Sequence, residues 1–378
     1  MILNQEQIMI REAARQYVES EITPHAMQWD ETGEFPKKAL QGLADLGFYG
    51  MFVPEQYGGC DIGHIAAATV IEEISAGDAA CGTIVSVTNS VACLPILKFG
   101  TDQQKQTYLS DLASGKTLGA FCLTEPHAGS DASELRTKAV RDGDDYILNG
   151  VKQFITSGKN AQTAIVFAVT DKEAGKKGIS AFIVPTDTEG YLVTSIEKKM
   201  GQHASDTCQI TFDNCRINAN QLLGKEGQGY KIALGNLESG RIGIAAQSVG
   251  IARAAFNAAK TYAQERTSFG RHLSEHQVIA FQLAEMETQI TAARGLYQAA
   301  AALRDAAEPC LKEASMAKLF ASEMAEKVCS QALQIHGGYG YLKDFPVEKY
   351  YRDVKVTQIY EGTSEIQKLV IARALLKE

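Results

Sequence analysis

The stretch TLGAFCLTE, residues 117–125, marks the point at which the sequence changes character. After it come short runs rich in β-branched and aromatic residues, separated by turn segments such as RDGDD (141–145) and EAGKKG (173–178). Six or more such runs follow one another, and DTCQITFDNCRI (206–217) is the last of them. This spacing predicts a small antiparallel β-barrel or sandwich in the middle of the chain.

Helical patterns lie on both sides of this β region. In residues 1–115, apolar side chains recur at three- and four-residue spacing, as in 5–22, and the segment 65–99 carries few charges, which indicates a buried helix pair. Residues 227–378 hold three long helical patterns and a short terminal one, which predicts an up-and-down four-helix bundle. We therefore expect an α+β fold that is mainly α, with domains at 1–115, 116–226 and 227–378.

The composition is that of a folded, acidic protein. Of its 378 residues, 45% are apolar, and the formal net charge of −8 argues against nucleic acid or an anionic membrane as the main partner. No run of about 18 uncharged apolar residues is visible, so no membrane span is predicted, and the acidic N-terminus does not resemble a signal peptide. Eight scattered cysteines without a Cys-x-x-Cys pair indicate a cytoplasmic protein with reduced thiols and no metal site.

Four polar, glycine-bearing stretches are poorly suited to pure packing. They are FCLTEPHAGSD (121–131), RTSFG (266–270), QIHGGYGY (334–341) and IYEGTSEIQ (359–367). Taken singly, the first three are better explained as a capped turn, a helix end completed by an arginine, and a helix C-cap followed by a turn. Dinucleotide, P-loop, serine-hydrolase and His-Glu-x-x-His fingerprints are absent from the sequence. An enzyme built on this chain therefore needs a cofactor that is bound in a less generic way.

Glu361, in the fourth stretch, stands between an aromatic residue and a glycine, just before a helix that Thr363 or Ser364 can cap. Ser364 and Gln367 have the spacing of a capping box, so the cap does not need the glutamate. Two interpretations of Glu361 follow. It is either a solvated loop acid, which is the commoner fate of a glutamate, or a general base held over a pocket.

Taken together and in this order, the stretches resemble the acyl-CoA dehydrogenase family over essentially the full length of the chain. CLTEPHAGSD (122–131) resembles the first signature of that family, the segment from QIHGGYGY to YYRD (334–353) resembles the second, and IYEGTSEIQ (359–367) resembles the segment that carries the catalytic glutamate. The resemblance implies FAD as the cofactor, an acyl-CoA thioester as the substrate, an electron-transfer flavoprotein as the electron acceptor, and a homotetramer.

The resemblance also implies which residues line the site. Flavin contacts are implied for Phe121, Leu123, Thr124, Gly129, Ser130, Phe154, Ile155 and Thr156, and after the base for Thr363, Ser364 and Glu365. Contacts to the FAD of a neighbouring subunit are implied for Arg266, Phe269, Gln277, Gln334, Ile335, His336, Gly337 and Gly338. Substrate contacts are implied for Ser130, Glu238, Ser239, Gly240, Arg241, Tyr360 and Gly362. By themselves, Phe154 could be a core aromatic residue, and Glu238 with Arg241 an i,i+3 ion pair.

The implied reaction removes two hydrogens from carbons 2 and 3 of a saturated acyl-CoA and gives the trans-2-enoyl-CoA. Glu361 would take the α-proton and flavin N5 the β-hydride, and desolvation by the bound acyl chain should raise the pKa of Glu361 toward neutrality. A subset of the family places its base at the position of Gly240, which cannot act here. Another subset holds a dicarboxylyl substrate with an arginine in the helices that correspond to residues 65–99, and this segment has none.

We therefore predict a short, uncharged acyl group, straight or branched, and a role in fatty acid β-oxidation or branched-chain amino acid degradation. Two alternatives on the same fold are an enoyl-CoA reductase and an oxygen-using acyl-CoA oxidase. An alternative of another class is a non-catalytic flavoprotein.

Overall fold

The computed structural model describes residues 2–376. Its N-terminal region is helical, as expected. Its α-helices are α1 (Gln5–Tyr17), α2 (Ala26–Thr32), α3 (Lys37–Asp45), α4 (Gly63–Gly77), α5 (Ala79–Val87), α6 (Leu94–Phe99) and α7 (Asp102–Ala113). Helices α1 and α7 each begin with a capping box, formed by Asn4 with Gln7 and by Thr101 with Gln104. Helix α2 ends at Gly33, whose φ of +68° closes the helix in the left-handed region.

The run from α5 to α6 (79–99) is the apolar centre of this region, with a π-helical turn at Thr88–Cys93 between the two helices. By length and composition alone it could cross a membrane. In the structure, however, 89% of its most apolar window is buried inside the protein. The run is therefore a core segment, and its apolar side chains pack against the other helices and the sheet.

The middle region is a β domain, as predicted. Its strands are β1 (Gly119–Cys122), β2 (Lys138–Asp142), β3 (Asp145–Thr156), β4 (Thr163–Val169), β5 (Ile179–Pro185), β6 (Tyr191–Ile196), β7 (Thr207–Asn218) and β8 (Leu222–Leu223). They form one sheet in the order β6-β7-β3-β2-β4-β5-β8, with β1 added beside β4. The sheet is antiparallel except where β1 and β2 pair with β4, because both of those pairings are parallel.

Strand β4 joins the β domain to the helices because both of its faces are buried. Ala164, Val166 and Ala168 pack into the core of the sheet, whereas Ile165 and Phe167 belong to a second core shared with α6, α7 and the start of the C-terminal region. The unbroken apolar run of this strand follows from burial on both sides.

The C-terminal region is the predicted helical bundle. Its helices are α8 (Gly229–Glu265), α9 (Gln277–Asp305), α10 (Leu311–His336), α11 (Val347–Val354) and α12 (Ser364–Leu376), and a two-stranded ribbon, β9 (Thr267–Ser268) with β10 (Arg271–His272), follows α8. Helix α8 packs against α4, α9 and α10. The contact with α4 is close, since a Cβ at Gly250 would stand 3.1 Å from the backbone nitrogen of Ala76.

A buried ion cluster connects the three regions. The Lys349 ammonium on α11 donates to Oδ2 of Asp78 (2.8 Å) and to Oδ2 of Asp353 (2.6 Å), and these side chains are at most 2% exposed. Asp78 also caps α5, and Oδ1 of Asp353 accepts the backbone N–H of Gln202 in the β domain at 2.5 Å. Burial alone would lower the pKa of Lys349, but the two carboxylates outweigh it and raise the pKa above its ordinary value.

The cluster can be tested through stability. Lys349→Met removes the cation and leaves the Asp78 and Asp353 carboxylates uncompensated, so we expect the free energy of unfolding to fall by about 3–5 kcal/mol in urea denaturation at neutral pH. The loss should shrink near pH 5, where one carboxylate can take up a proton. Lys355→Met is the control, because its 3.0 Å ion pair with Glu326 is partly exposed and should contribute less than about 1 kcal/mol. Equal losses in the two variants would contradict the role of the cluster.

Candidate active site

The loop that carries Glu361 has a strained backbone. It joins the 3₁₀ turn Lys355–Gln358 to α12, and both Glu361 (φ +55°) and Gly362 (φ +89°) lie in the left-handed region. Glycine adopts such angles freely, whereas a glutamate does so at a cost of about 1–3 kcal/mol. A Cβ at position 362 would also come within 2.8 Å of the Gln367 side-chain amide. The surrounding structure therefore imposes this conformation on the loop.

The Glu361 carboxylate lies against α8 at a position where that helix has no side chain. A Cβ built on Gly240 would stand 2.6 Å from Oε2 and 2.8 Å from Cδ and Oε1. Oε2 is buried and has no hydrogen-bond partner within residues 2–376, although the residue as a whole is partly exposed. Burial raises the pKa of Glu361 to about 7, against the opposing charges of Arg241 and Lys318. A carboxylate that is half ionised near pH 7, with a free oxygen, has the properties of a general base.

The aromatic ring beside the base is held by a buried polar network. The Tyr360 hydroxyl donates to Oε1 of Gln247 (2.5 Å) and accepts from the side-chain amide of Gln202 (3.4 Å). Thr83 completes the network, because its hydroxyl donates to Oε1 of Gln202 (2.7 Å) and accepts from Nε2 of Gln247 (2.7 Å). Helix α5, the β domain and α8 each supply one of these groups. The position of Tyr360 thus depends on all three regions.

Helix α12 braces the loop. Thr363 is its N-cap, with a hydroxyl that accepts a first-turn N–H at 3.4 Å, whereas the Ser364 hydroxyl is buried without a partner in the described chain. The expected capping box of Ser364 and Gln367 is therefore wrong. The Gln367 amide instead donates to the carbonyl oxygens of Glu361 (3.1 Å) and Gly362 (2.8 Å), because the left-handed turn directs these carbonyls toward the start of the helix.

The first signature lies in a loop that leaves β1 and is fixed from below. Glu125 is buried and accepts from the backbone N–H groups of Arg136 (2.7 Å) and Thr137 (3.0 Å) and from the Lys152 ammonium (2.8 Å). These bonds hold the base of the loop, while Gly129 and Ser130 remain exposed. The loop therefore presents a rigid, solvent-facing edge.

The aromatic-Ile-Thr turn lies next to that loop. The backbone N–H of Gln153 donates to the carbonyl of Thr124 at 2.8 Å. Phe154 sits at a bulge in the pairing of β3 with β7, has a φ of +60° and is 63% exposed. The interpretation of Phe154 as a core aromatic residue is thus wrong. Ile155 is 1% exposed and points into the β core, so only its backbone is available for a cofactor.

A separate group of predicted residues surrounds the end of α8 and the end of α10. Arg266 and the segment Ile335–Gly338 line one cavity of about 540 Å³. Gly337 and Gly338 have open space where a Cβ would be, so the backbone can be approached closely. His336 is buried, with Nδ1 2.8 Å from the carbonyl of Ala332, and its ring stacks on Tyr262. Burial lowers the pKa of His336, which fits a structural histidine better than a base.

The substrate motif on α8 is only partly as expected. Glu238 forms an ion pair with Arg304 at 3.3 Å, and Arg241 donates to the Ser315 hydroxyl at 3.2 Å. The i,i+3 pair of Glu238 with Arg241 is therefore wrong, because the two side chains point to different neighbouring helices. Ser239 is buried and lies 3.4 Å from Nε2 of His64, while Gly240 faces the base.

The other predicted contacts are scattered. Phe121 packs edge-on against Phe167 at 4.9 Å in the second core, so its ring is largely committed to packing. Four other predicted residues are exposed. Phe269, Gln277 and Gln334 do not line the cavity beside Arg266, and Glu365 lies in the first turn of α12, after Glu361. The remaining predicted residues, Leu123 and Thr156, are partly buried beside the first signature and its neighbouring turn.

Several residues of the site were missed in the sequence. They are Thr83, Gln202, Gln247, Lys318 and Gln367. One of them left a signal, because Lys318 interrupts the buried stripe of small residues that includes Ala314, Ala317 and Ala321 on α10. A lysine on the apolar stripe of a helix calls for a specific partner.

Comparison with known proteins agrees with this architecture. Family models described as the N-terminal, middle and C-terminal domains of acyl-CoA dehydrogenase match residues 4–116, 120–215 and 227–376. An acyl-CoA dehydrogenase of Bacillus subtilis (strain 168) is 50% identical, over 100% of this chain and 99% of its own.

Two solved structures are also similar to this chain over its whole length. Butyryl-CoA dehydrogenase from Megasphaera elsdenii has a TM-score of 0.98 and 42% identity, over 100% of this chain and 99% of its own. A chain in a structural study of the electron transferring flavoprotein of Acidaminococcus fermentans has a TM-score of 0.99 and 45% identity, over 100% of both chains.

The fold and the site thus define a three-region enzyme with a buried carboxylate in a loop between two C-terminal helices. The chain belongs to the acyl-CoA dehydrogenase family. Members of this family are FAD-dependent flavoproteins, and FAD is accordingly its cofactor.

The described residues fit such a cofactor. Phe154 is an exposed aromatic residue held at a positive φ, a strain that is typical of functional sites. It stands beside the exposed loop of the first signature. Arg266, with its guanidinium 5.4 Å over the Tyr339 ring, lies beside the two open glycines, Gly337 and Gly338. An arginine next to accessible backbone N–H groups suits a pyrophosphate.

The packing of Gly240 against the base gives a test of the site. Gly240→Ala places a methyl group within 2.6–2.8 Å of the Glu361 carboxylate, so the loop must move. We expect the variant to bind FAD, but its flavin should be reduced by butyryl-CoA at least about tenfold more slowly, since small displacements of a base are costly. Gly235→Ala on the same helix is the control, because a Cβ there meets nothing within 4 Å. Wild-type rates in both variants would contradict the contact.

Proposed function

We propose that the protein catalyses the α,β-dehydrogenation of a short, uncharged acyl-CoA thioester, with Glu361 as the general base. The observation that carries this proposal is the buried Glu361 carboxylate, strained in φ, unpartnered at Oε2 and with a pKa of about 7. A solvated loop acid would have none of these properties, because water would satisfy its oxygens and keep its pKa near the ordinary value.

The proton of the α-carbon passes to the Glu361 carboxylate. A positioned base of matched pKa contributes a factor of about 10² to 10⁴ to such a step. The backbone N–H of Glu361 would donate to the thioester oxygen, where negative charge develops. Gln367 supports this role, since it fixes the carbonyls of Glu361 and Gly362 and thereby the orientation of the loop.

The cofactor would be held at two places. The exposed first-signature loop with Phe154 would cover the flavin ring of the chain's own FAD, and the cavity beside Arg266 and the glycines at 337 and 338 would accept the pyrophosphate of the FAD of a neighbouring subunit. When bound, FAD supplies the acceptor for the hydride that leaves the β-carbon.

A small cavity beside α8 supports an uncharged acyl group through its lining. It has a volume of about 20 Å³ and lies between α4, α5 and α8, next to Gly240 in the sequence of α8. Its lining includes Phe52, Ser86, Ser239 and Gly243 but no lysine or arginine. A lining without a lysine or arginine would not compensate a carboxylate at the end of the acyl chain, and the similarity to a short-chain specific acyl-CoA dehydrogenase and to butyryl-CoA dehydrogenase supports a short chain.

The partners follow from the relatives and from the surface. The similarity to a chain studied together with an electron transferring flavoprotein supports such a protein as the electron acceptor. Three exposed apolar residues on one end of the bundle, Phe269 (95%), Val278 (72%) and Phe281 (67%), support a homo-oligomer, and we propose a tetramer. We place the enzyme in the cytoplasm, in fatty acid or branched-chain amino acid oxidation.

The role of Glu361 is tested by Glu361→Gln. The amide keeps the size of the side chain but cannot accept the proton, so we expect a stable, FAD-loaded protein whose flavin reduction by butyryl-CoA slows by a factor of about 10² to 10⁴ or more. In the wild type, the rate should rise with pH through about 7, because the ionised form is the active one.

Glu365→Gln is the matched control, four residues away and fully exposed to solvent. It should change the rate by less than about twofold, since the amide keeps the size and hydrogen-bonding reach of an implied flavin contact and the exposed carboxylate takes no part in the proton transfer. If Glu361→Gln instead reacts within about tenfold of the wild type, Glu361 is not the base.

The substrate is tested by anaerobic titration of the flavin with acyl-CoA thioesters of four, five (branched), eight and sixteen carbons. We expect the C4 and branched C5 thioesters to reduce the flavin fastest, because the similar proteins include a short-chain specific acyl-CoA dehydrogenase and a butyryl-CoA dehydrogenase. Reoxidation should be faster with an electron-transfer flavoprotein than with oxygen. Preference for C16, or rapid reoxidation by oxygen, would point to a long-chain enzyme or to an oxidase, respectively.

A further inference from the structure

Lys318 on α10 reaches the backbone of the loop that carries Glu361. Its ammonium donates to the carbonyl oxygen of Gly362 at 2.8 Å, and the residue is 0% exposed. Within residues 2–376 this is the only hydrogen bond that the ammonium makes, and no carboxylate oxygen lies within 4.0 Å of it. Burying an ammonium without a bonded carboxylate is costly, so its retention requires another explanation.

The charges around Lys318 come from four elements. Glu361 lies on the loop, Arg241 on α8, Glu365 on α12 and Glu323 on α10 itself. Glu365 is solvent-exposed, and Glu323 pairs with Lys368 at 3.3 Å, half exposed to water. Water screens these two acids strongly. The partners that matter are therefore the Glu361 carboxylate and the Arg241 guanidinium, both in the buried site.

Burial lowers the pKa of Lys318 to about 8, while Glu361 acts to raise it. Lys318 acts on Glu361 in turn. Together with Arg241 it opposes the rise in the pKa of Glu361 that burial causes. Arg241 is committed to Ser315. Lys318, in contrast, is bonded directly to the backbone of the loop.

We propose that Lys318 is a positioning residue that holds the loop through Gly362 and supplies the positive charge that keeps the buried Glu361 partly ionised. The inference rests on the proposed function of Glu361 and deepens it. In the reaction the proton moves from the α-carbon to Glu361, so the cluster of two cations and one anion loses its anion. The charges of Lys318 and Arg241 would then stabilise the negative charge that develops on the thioester.

The experiment uses the FAD-loaded enzyme and measures the rate of flavin reduction by saturating butyryl-CoA as a function of pH. Lys318→Met removes both the charge and the donor, and Lys318→Gln removes the charge but retains a donor for Gly362. In both variants we expect the midpoint of the rise in rate to move to higher pH by about one unit or more, since removing a nearby cation raises the pKa of a buried carboxylate.

Two further variants separate charge from position. Lys318→Arg keeps the charge and should leave the midpoint unchanged, even where the different shape slows the reaction. Gln367→Met removes the second donor to the Gly362 carbonyl without any change of charge. It should slow flavin reduction by a similar factor at every pH, with no movement of the midpoint.

The outcomes are distinguishable. A midpoint that stays at the wild-type pH in Lys318→Gln, with an equal loss of rate at every pH, overturns the electrostatic role and leaves a structural one. If Lys318→Met does not fold, as judged by its thermal unfolding and FAD content, Lys318→Gln decides alone. A wild-type enzyme whose flavin no acyl-CoA reduces refutes the proposed function itself.

Discussion

The buried bonds around Asp353 are the constraint on which the site depends. Asp353 receives the Lys349 ammonium from its own helix and the backbone N–H of Gln202 from the β domain. Gln202 in turn reaches the Tyr360 hydroxyl through its side chain. One chain of contacts thus runs from a buried ion cluster, through the β domain, to the residue beside the base. The three regions must be assembled before the loop of Glu361 has a defined shape.

Complementarity between two elements that are distant in the sequence creates the environment of the Glu361 carboxylate. The Glu361 carboxylate fills the space that Gly240 leaves empty on α8, and this burial raises its pKa. The left-handed angles of Glu361 and Gly362 aim the carboxylate into that space. The strain is offset by the amide of Gln367 and the ammonium of Lys318, which hold the carbonyls of the loop. Shape, strain and charge therefore act together on one carboxyl group.

Much of this architecture could be predicted from the sequence. The order of helical, β and helical regions followed from hydrophobic periodicity, and the motifs singled out Glu361, Arg266 and the glycines at 337 and 338. Local patterns failed where a side chain has more than one possible partner. Gln367 has the spacing of a capping box but braces the loop, and Glu238 has the spacing of a pair with Arg241 but bonds to Arg304.

The sequence by itself determined the elements and the family and singled out Glu361 as the candidate base, because periodicity, turn residues and motifs are local properties. The tertiary structure alone decided the environment of that base. Thr83, Gln202 and Gln247 converge on Tyr360 from three regions, and no local pattern specifies such a meeting. The pKa of Glu361 likewise depends on desolvation and on charges that α8 and α10 bring near. Both effects arise from distances in space, which spacing along the chain does not fix.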